Sequence, residues 1–190
     1  MHATLKYLGA AAGCAGLLIT LAFAAGSTAT APVDKYTVKV PGGLEFSEFR
    51  GYESWQVISA SHNAKTIAVT VGNPKMIEAY QAGFPANGKP VPDGAKMAKI
   101  HWLPKKHPDF PDATVPGVQH DVDFMVKDSK RFGDVGGWGY AMFKYDAATD
   151  TFTPGTMADH PPQGDDAKCG VACHTVAQAK DFVFTEYARR

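Results

Sequence analysis

Six stretches of the chain are rich in β-branched and aromatic residues: 36–40, 54–60, 66–71, 95–103, 121–127 and 138–145. Such side chains suit the pleated, half-buried surface of a sheet. Within 95–103 the alternation places Ala98, Ile100 and Trp102 on one face, with Lys96 at its end, and Met97, Lys99 and His101 on the other. Turn-forming clusters separate the stretches, at Gly72, Asn73 and Pro74, at Pro92, Asp93 and Gly94, and at Gly136 and Gly137. This spacing predicts antiparallel pairing rather than βαβ units. The expected fold class is mainly β, of the α+β kind: an antiparallel sheet with a few helices.

Two helices are expected. Asn73 can cap the first, with Pro74 at its opening position, Met76, Ile77 and Tyr80 along it, and Gly83 ending it. The second is short, lies near the C-terminus, holds residues 169–174 and runs toward Lys180. Prolines at 104, 108, 111 and 116 argue against regular structure across 104–116, which reads as a loop over a pocket. Residues 153–166 likewise read as a loop leading into the second helix.

The N-terminus carries a different pattern. Lys6 precedes an apolar run from Tyr7 through Phe23, and Ala22 and Ala24 supply small residues where a secretory signal is cleaved. Residues 1–24 are therefore expected to direct export and be removed, leaving 25–190 as one domain in a periplasmic compartment. A lipoprotein signal using Cys14 is the rival, but that cysteine sits inside the apolar run and Ala11 stands where a leucine-like residue is expected. An uncleaved anchor is the other alternative, since the run is close to the ~17 residues that span a bilayer. No later stretch is apolar enough to do so, so the exported domain is expected to be free of the membrane. Lysine plus arginine equals aspartate plus glutamate at 19 each, without a basic run, which speaks against nucleic acid as a partner.

The chemistry concentrates in Cys169, Gly170, Val171, Ala172, Cys173 and His174. Two thiols followed at once by an imidazole describe covalent haem attachment: the cysteines form thioethers with the porphyrin and the histidine binds the iron as proximal ligand. The usual motif has two residues between the cysteines; here there are three. On a helix, residues three and four apart share a face and the extra rise is about 1.5 Å, so both thiols can still meet one porphyrin edge. A Cys169–Cys173 disulfide in an oxidising compartment also fits, and a zinc site would need further ligands such as His120 or His160.

The flanking sequence adds to this motif. VKDSKRFGDVGGWGYAMF, within residues 121–143, and the tail KCGVACHTVAQAKDFVFTEYARR resemble the cytochrome P-460 family, and the likeness extends from about Gly51 to Arg190. The resemblance implies a small exported haem c protein, mainly antiparallel β, commonly a homodimer and related to the β-sheet cytochromes c′. It implies one covalently bound haem c with His174 as proximal ligand and the opposite coordination site open to small nitrogen compounds. Enzymes of the family act on hydroxylamine, and the cytochrome c′ relatives bind nitric oxide. The enzymes also carry a lysine joined to the porphyrin rim on a strand after an Asp-Gly turn. Here Asp93 and Gly94 lead to Lys99 as the matching position. Asp123 stands closest to the family's acidic residue and would accept protons near the open site.

Bland roles compete for most of these residues. Lys99 and Asp123 also suit solvated strand positions, Phe124 is expected in the core, and Trp138 and Tyr140 share a face suited to core packing. Arg131 fits a structural ion pair as well as a propionate contact; His62, His101 and His107 are expected at the surface or in loops. Three functions follow: a hydroxylamine-oxidising enzyme that passes electrons to a redox partner such as another cytochrome, a gas-binding protein with thioethers only, or an electron carrier. The last needs a sixth ligand, for which Met125, Met142, Met157 and His160 are the candidates.

Overall fold

Strand follows strand across one antiparallel sheet, in chain order, in the computed structural model, which describes residues 33–155 and 166–189. The six strands are β1 (Gln56–His62), β2 (Ile67–Gly72), β3 (Lys96–Lys106), β4 (Thr114–Lys127), β5 (Trp138–Asp146) and β6 (Thr151–Pro154). Three short helices interrupt them: α1 (Pro74–Gln81) between β2 and β3, α2 (Ser129–Phe132) between β4 and β5, and α3 (Val171–His174) near the C-terminus. The fold is the expected mainly β, α+β arrangement. No helix of the described residues is long and apolar enough to cross a membrane. The expected signal with Cys14, together with Met157 and His160, lies outside the described residues.

Each face of the sheet carries its own apolar cluster, because alternate strand residues point opposite ways. One face presents Val71, Ala98, Val122, Phe124, Val126, Ala141 and Phe143, and the N-terminal segment covers it with Leu44, Phe46 and Phe49. Phe124 and Phe49 stack with ring centroids 4.1 Å apart. The other face presents Met97, Met125, Trp138 and Tyr140. Met76, Ile77 and Tyr80 of α1 cover part of it, and residues of the C-terminal segment, Cys169, Phe182, Val183 and Tyr187, cover more.

Helix α1 forms as its sequence predicts: the Asn73 side chain accepts from Met76 N–H, and Pro74 opens the helix where no donor is needed. Elsewhere the structure corrects the reading. Residues 36–40 form no strand; a turn of 3-10 helix spans Lys35–Thr37, capped by the Asp34 side chain, and Val40 packs into the first cluster. The stretch 104–116 is mostly strand. Pro104 of β3 faces Pro116 of β4 in a hairpin whose connecting loop is only 107–113. Neither missing N–H matters there, because the pairing of β2 with β3 stops at Trp102 and that of β5 with β4 stops at Asp121, leaving both outer edges free among the described residues. β6 extends the sheet by a strand where residues from 153 onward had read as a loop. The C-terminal helix starts only at Val171, so Cys169 lies in the turn before it, and Thr175–Lys180 continues as 3-10 helix.

Candidate functional site

Register across the second face arranges side chains in rows. The innermost row runs Gly72, Met97, Met125, Tyr140; the next runs Thr70, Lys99, Asp123, Met142; the outermost runs Ala68, His101, Asp121, Lys144. The surface thus changes from thioether and aromatic to charged within three rows. The C-terminal segment folds over the inner two and closes a cavity of about 230 Å³. Lys99, Asp123, Cys169, Cys173 and His174 all line it, with Met97, Met125, Tyr140 and Met142. Residues far apart in the chain, singled out separately from the sequence, therefore share one wall.

The histidine is held by the backbone. His174 Nδ1 lies 2.7 Å from the Phe182 carbonyl oxygen. A carbonyl only accepts, so Nδ1 carries the hydrogen and Nε2 is left with a lone pair, the tautomer a metal ligand requires. Burial shifts the imidazole toward its neutral form; the Phe182 carbonyl opposes this and the charge on Lys99 adds to it. The Tyr140 ring lies 4.8 Å from the imidazole and the Phe184 ring 4.9 Å, one on β5 and one on the tail.

The carbonyl's own position depends on an unusual tail. Asp181 and Phe182 both take positive φ, 49° and 64°, which costs L-residues about 1 kcal/mol or more each. Asp181 is fixed from two sides: Lys127 Nζ donates to Oδ1 at 2.7 Å and Val91 N–H to Oδ2 at 2.8 Å. Lys127 is itself buried, donates to the Gly136 carbonyl at 2.9 Å and lies over the Trp138 ring. Gly136 completes the seat. Its φ is +80°, and a Cβ there would stand 2.2 Å from the Phe182 ring.

The thiols sit at the cavity rim without a bond between them, Cys173 exposed and Cys169 half-buried. Gly170 between them is pressed onto Tyr140, where a Cβ would come within 2.3 Å of the ring. The extra residue of the spacing is accommodated by starting the helix after Cys169 rather than by lengthening it.

Lys99 lines the cavity while remaining exposed, directly opposite Asp123. Burial pushes the Asp123 carboxyl up to about 6, with His101 and Lys99 pulling down and Asp121 pushing up. Its Oδ1 is buried without a partner among the described residues, as is the Tyr140 hydroxyl. Such orphaned polar atoms in a cavity wall are where a bound group finds its contacts. A neutral imidazole presenting Nε2, two thiols not joined to each other, a cradle of glycine against tyrosine and these polar atoms together fit a haem.

Other expectations sort differently. His101 is a correction: it is nearly buried, 2.5 Å from Asp121, because its partner comes from the neighbouring strand and not from its own. Phe124 lies in the opposite core as expected, and Trp138 is fully buried. Arg131 pairs with Glu48 at 2.8 Å, away from the cavity wall. Met125 and Met142 do line the cavity. Tyr140 is the residue sequence reasoning missed at the site; sharing a strand face with Met142 and following Gly139 would have pointed to it.

Among known proteins, a search of curated sequences gives no match to the chain. The family model described as cytochrome P460 matches residues 49–185, which include every cavity residue named above. The chain belongs to the cytochrome P460 family, and with that membership comes the binding of haem.

Proposed function

We propose that the protein is a periplasmic haem c oxidoreductase that oxidises hydroxylamine or a related small nitrogen compound. One observation carries this reading: Lys99, Asp123, Cys169, Cys173 and His174 line a single cavity. Cys169 and Cys173 would each add S–H across a vinyl group, the sulfur bonding to carbon and the hydrogen going to the neighbouring carbon, and His174 Nε2 would bind the iron. Bound haem supplies an electron-accepting iron with one open coordination position. The remaining work falls to the chain. Asp123, ionised above pH of about 6, accepts protons that the substrate loses as its electrons leave. Lys99, across from it, would be the third attachment point to the porphyrin, a two-electron oxidant taking up one N–H and one rim C–H hydrogen as the N–C bond forms, and the attached nitrogen would keep an N–H beside that carboxylate.

Export by residues 1–24, cleavage near Ala25, electron delivery to another cytochrome and assembly as a homodimer complete the proposal. The apolar inner row of Met97 and Met125 favours a second reading, a gas-binding protein of the cytochrome c′ kind that takes up nitric oxide without turnover. Purifying the exported protein, recording its ferrous spectrum and mapping haem peptides by mass spectrometry distinguishes the two. Haem joined to the Cys169–Cys173 peptide and to the Lys99 peptide, with hydroxylamine oxidised, supports the enzyme. Haem on the cysteine peptide alone, with nitric oxide bound and hydroxylamine untouched, supports the gas-binding protein.

A further inference from the structure

We infer that His101 and Asp121 form with Asp123 a single proton-holding unit at the polar edge of the cavity, in which His101 and Asp121 take over the proton that Asp123 accepts. This rests on the reading of Asp123 as the proton acceptor. His101 and Asp121 face each other in the row next to Lys99 and Asp123. His101 Nδ1 lies 2.5 Å from Asp121 Oδ1 and 3.8 Å from Asp123 Oδ2, so one nitrogen stands between two carboxylates. The second oxygen of Asp121 is 2.6 Å from His120 Nδ1. His101 and Asp121 side chains are 12% and 8% exposed and His120 is 49% exposed, so the array runs from the cavity wall to solvent.

The two carboxylates are set apart by their surroundings. Burial works against the charge on Asp121, but hydrogen bonds from His101 and His120 outweigh it and hold its carboxyl below the ordinary range. Asp123 has a buried oxygen without a partner and a raised affinity for protons. Neighbouring carboxyls driven in opposite directions divide holding charge from accepting protons. The other groups facing them are Lys99 on β3, Lys144 on β5 opposite Asp121, and His174 and Cys173 across the cavity; β2 contributes the uncharged Ala68 and Thr70.

The step moves one proton. The O–H bond at Asp123 Oδ2 breaks and an N–H bond forms at the lone pair of His101 Nδ1, while Nε2 keeps its own hydrogen; the resulting imidazolium donates from Nδ1 to the Asp121 Oδ1 carboxylate. Asp123 regains its negative charge, and the proton is shared in the short His101–Asp121 contact. The 3.8 Å gap exceeds hydrogen-bond length, so the step requires the Asp123 carboxylate to rotate toward the ring. His101 and Asp121 are thus positioning residues that act through Asp123.

Nuclear magnetic resonance on the haem-loaded, diamagnetic ferrous carbonyl form tests this by following His101 ring nitrogens and the Asp123 carboxyl carbon through a pH titration. In His101→Asn the midpoint of Asp123 is expected to rise by about one pH unit, because a neighbouring cation is lost. In Asp123→Asn the midpoint of His101 should fall by the same amount, since coupling between sites is reciprocal. The acid limb of hydroxylamine turnover in His101→Asn should move alkaline with the Asp123 midpoint. Two titrations that each ignore the other substitution overturn the unit. Should His101→Asn fail to fold, the isosteric Asp123→Asn decides by itself. If wild-type protein does not turn over hydroxylamine, the proposed function fails, while the titrations still decide for or against the coupled unit.

Discussion

Asp123 shows how a single side chain ties the site to the stability of the fold. Its carboxyl titrates at about 6 in the folded chain against an ordinary 3.8, so the folded state binds the proton more tightly than the unfolded one. The stability this adds is full below pH of about 4 and is lost as pH rises through about 6. At pH of about 8 the charged carboxylate costs roughly 2 kcal/mol, after allowance for its partial exposure. Asp123→Asn should therefore gain stability over wild type between those two pH values while losing turnover. Urea midpoints at both ends of the range check it; an equal difference at both ends sinks the assignment. That Lys99 shares a strand face with Met97 and His101 was legible from alternation, whereas Lys99 and Asp123 were singled out only by the family resemblance. The role of His101 was not legible, since it depends on facing Asp121 across β3 and β4, and register cannot be read from one strand.

Among the elements, the C-terminal tail depends most on a few contacts. It carries the carbonyl that orients His174, and Asp181, locked to buried Lys127, holds it against β4. Asp181→Ala leaves an unpaired ammonium only 6% exposed, which should destabilise by about 3 kcal/mol, whereas adding Lys127→Met should recover much of that loss. Thermal denaturation of the single and double variants measures it, and additive losses would count against a direct pair. Gly136→Ala needs no such coupling: a methyl 2.2 Å from the Phe182 ring, at positive φ, must displace the tail. The expected result is a changed ferrous haem spectrum, and an unaltered spectrum would show that His174 is oriented by something else. Element by element, legibility followed local cause. Helix α1 declares its cap, its proline and its terminating glycine in one short segment. Residues 36–40 do not: their apolar character reports burial in the first cluster, and a strand also needs a free edge to pair with.

Taken whole, the molecule uses one sheet for two separate purposes. The face covered by the N-terminal segment is packed with aromatic rings, Phe46, Phe49, Phe124 and Phe143 among them, and holds the strands in register. The face covered by α1 and the tail carries the cavity. Phe124→Ala should cost about 3–5 kcal/mol in unfolding free energy yet leave the haem spectrum of the folded fraction unchanged. A spectral shift equal to that of a cavity variant would mean that the faces are not independent. The antiparallel class was legible from strand spacing, but the division of labour was not, because it depends on which segments cover which face. The row arrangement has a further consequence. The boundary between apolar and charged surface falls between two neighbouring rows, so it works like a graduation on a ruler whose marks are about 7 Å apart. Polar side chains at 97 and 125 would carry water one mark inward, and apolar ones at 99 and 123 would drive it one mark outward. Neither change touches the opposite face, so the depth to which a charged molecule can enter is adjustable in discrete steps without redesigning the scaffold.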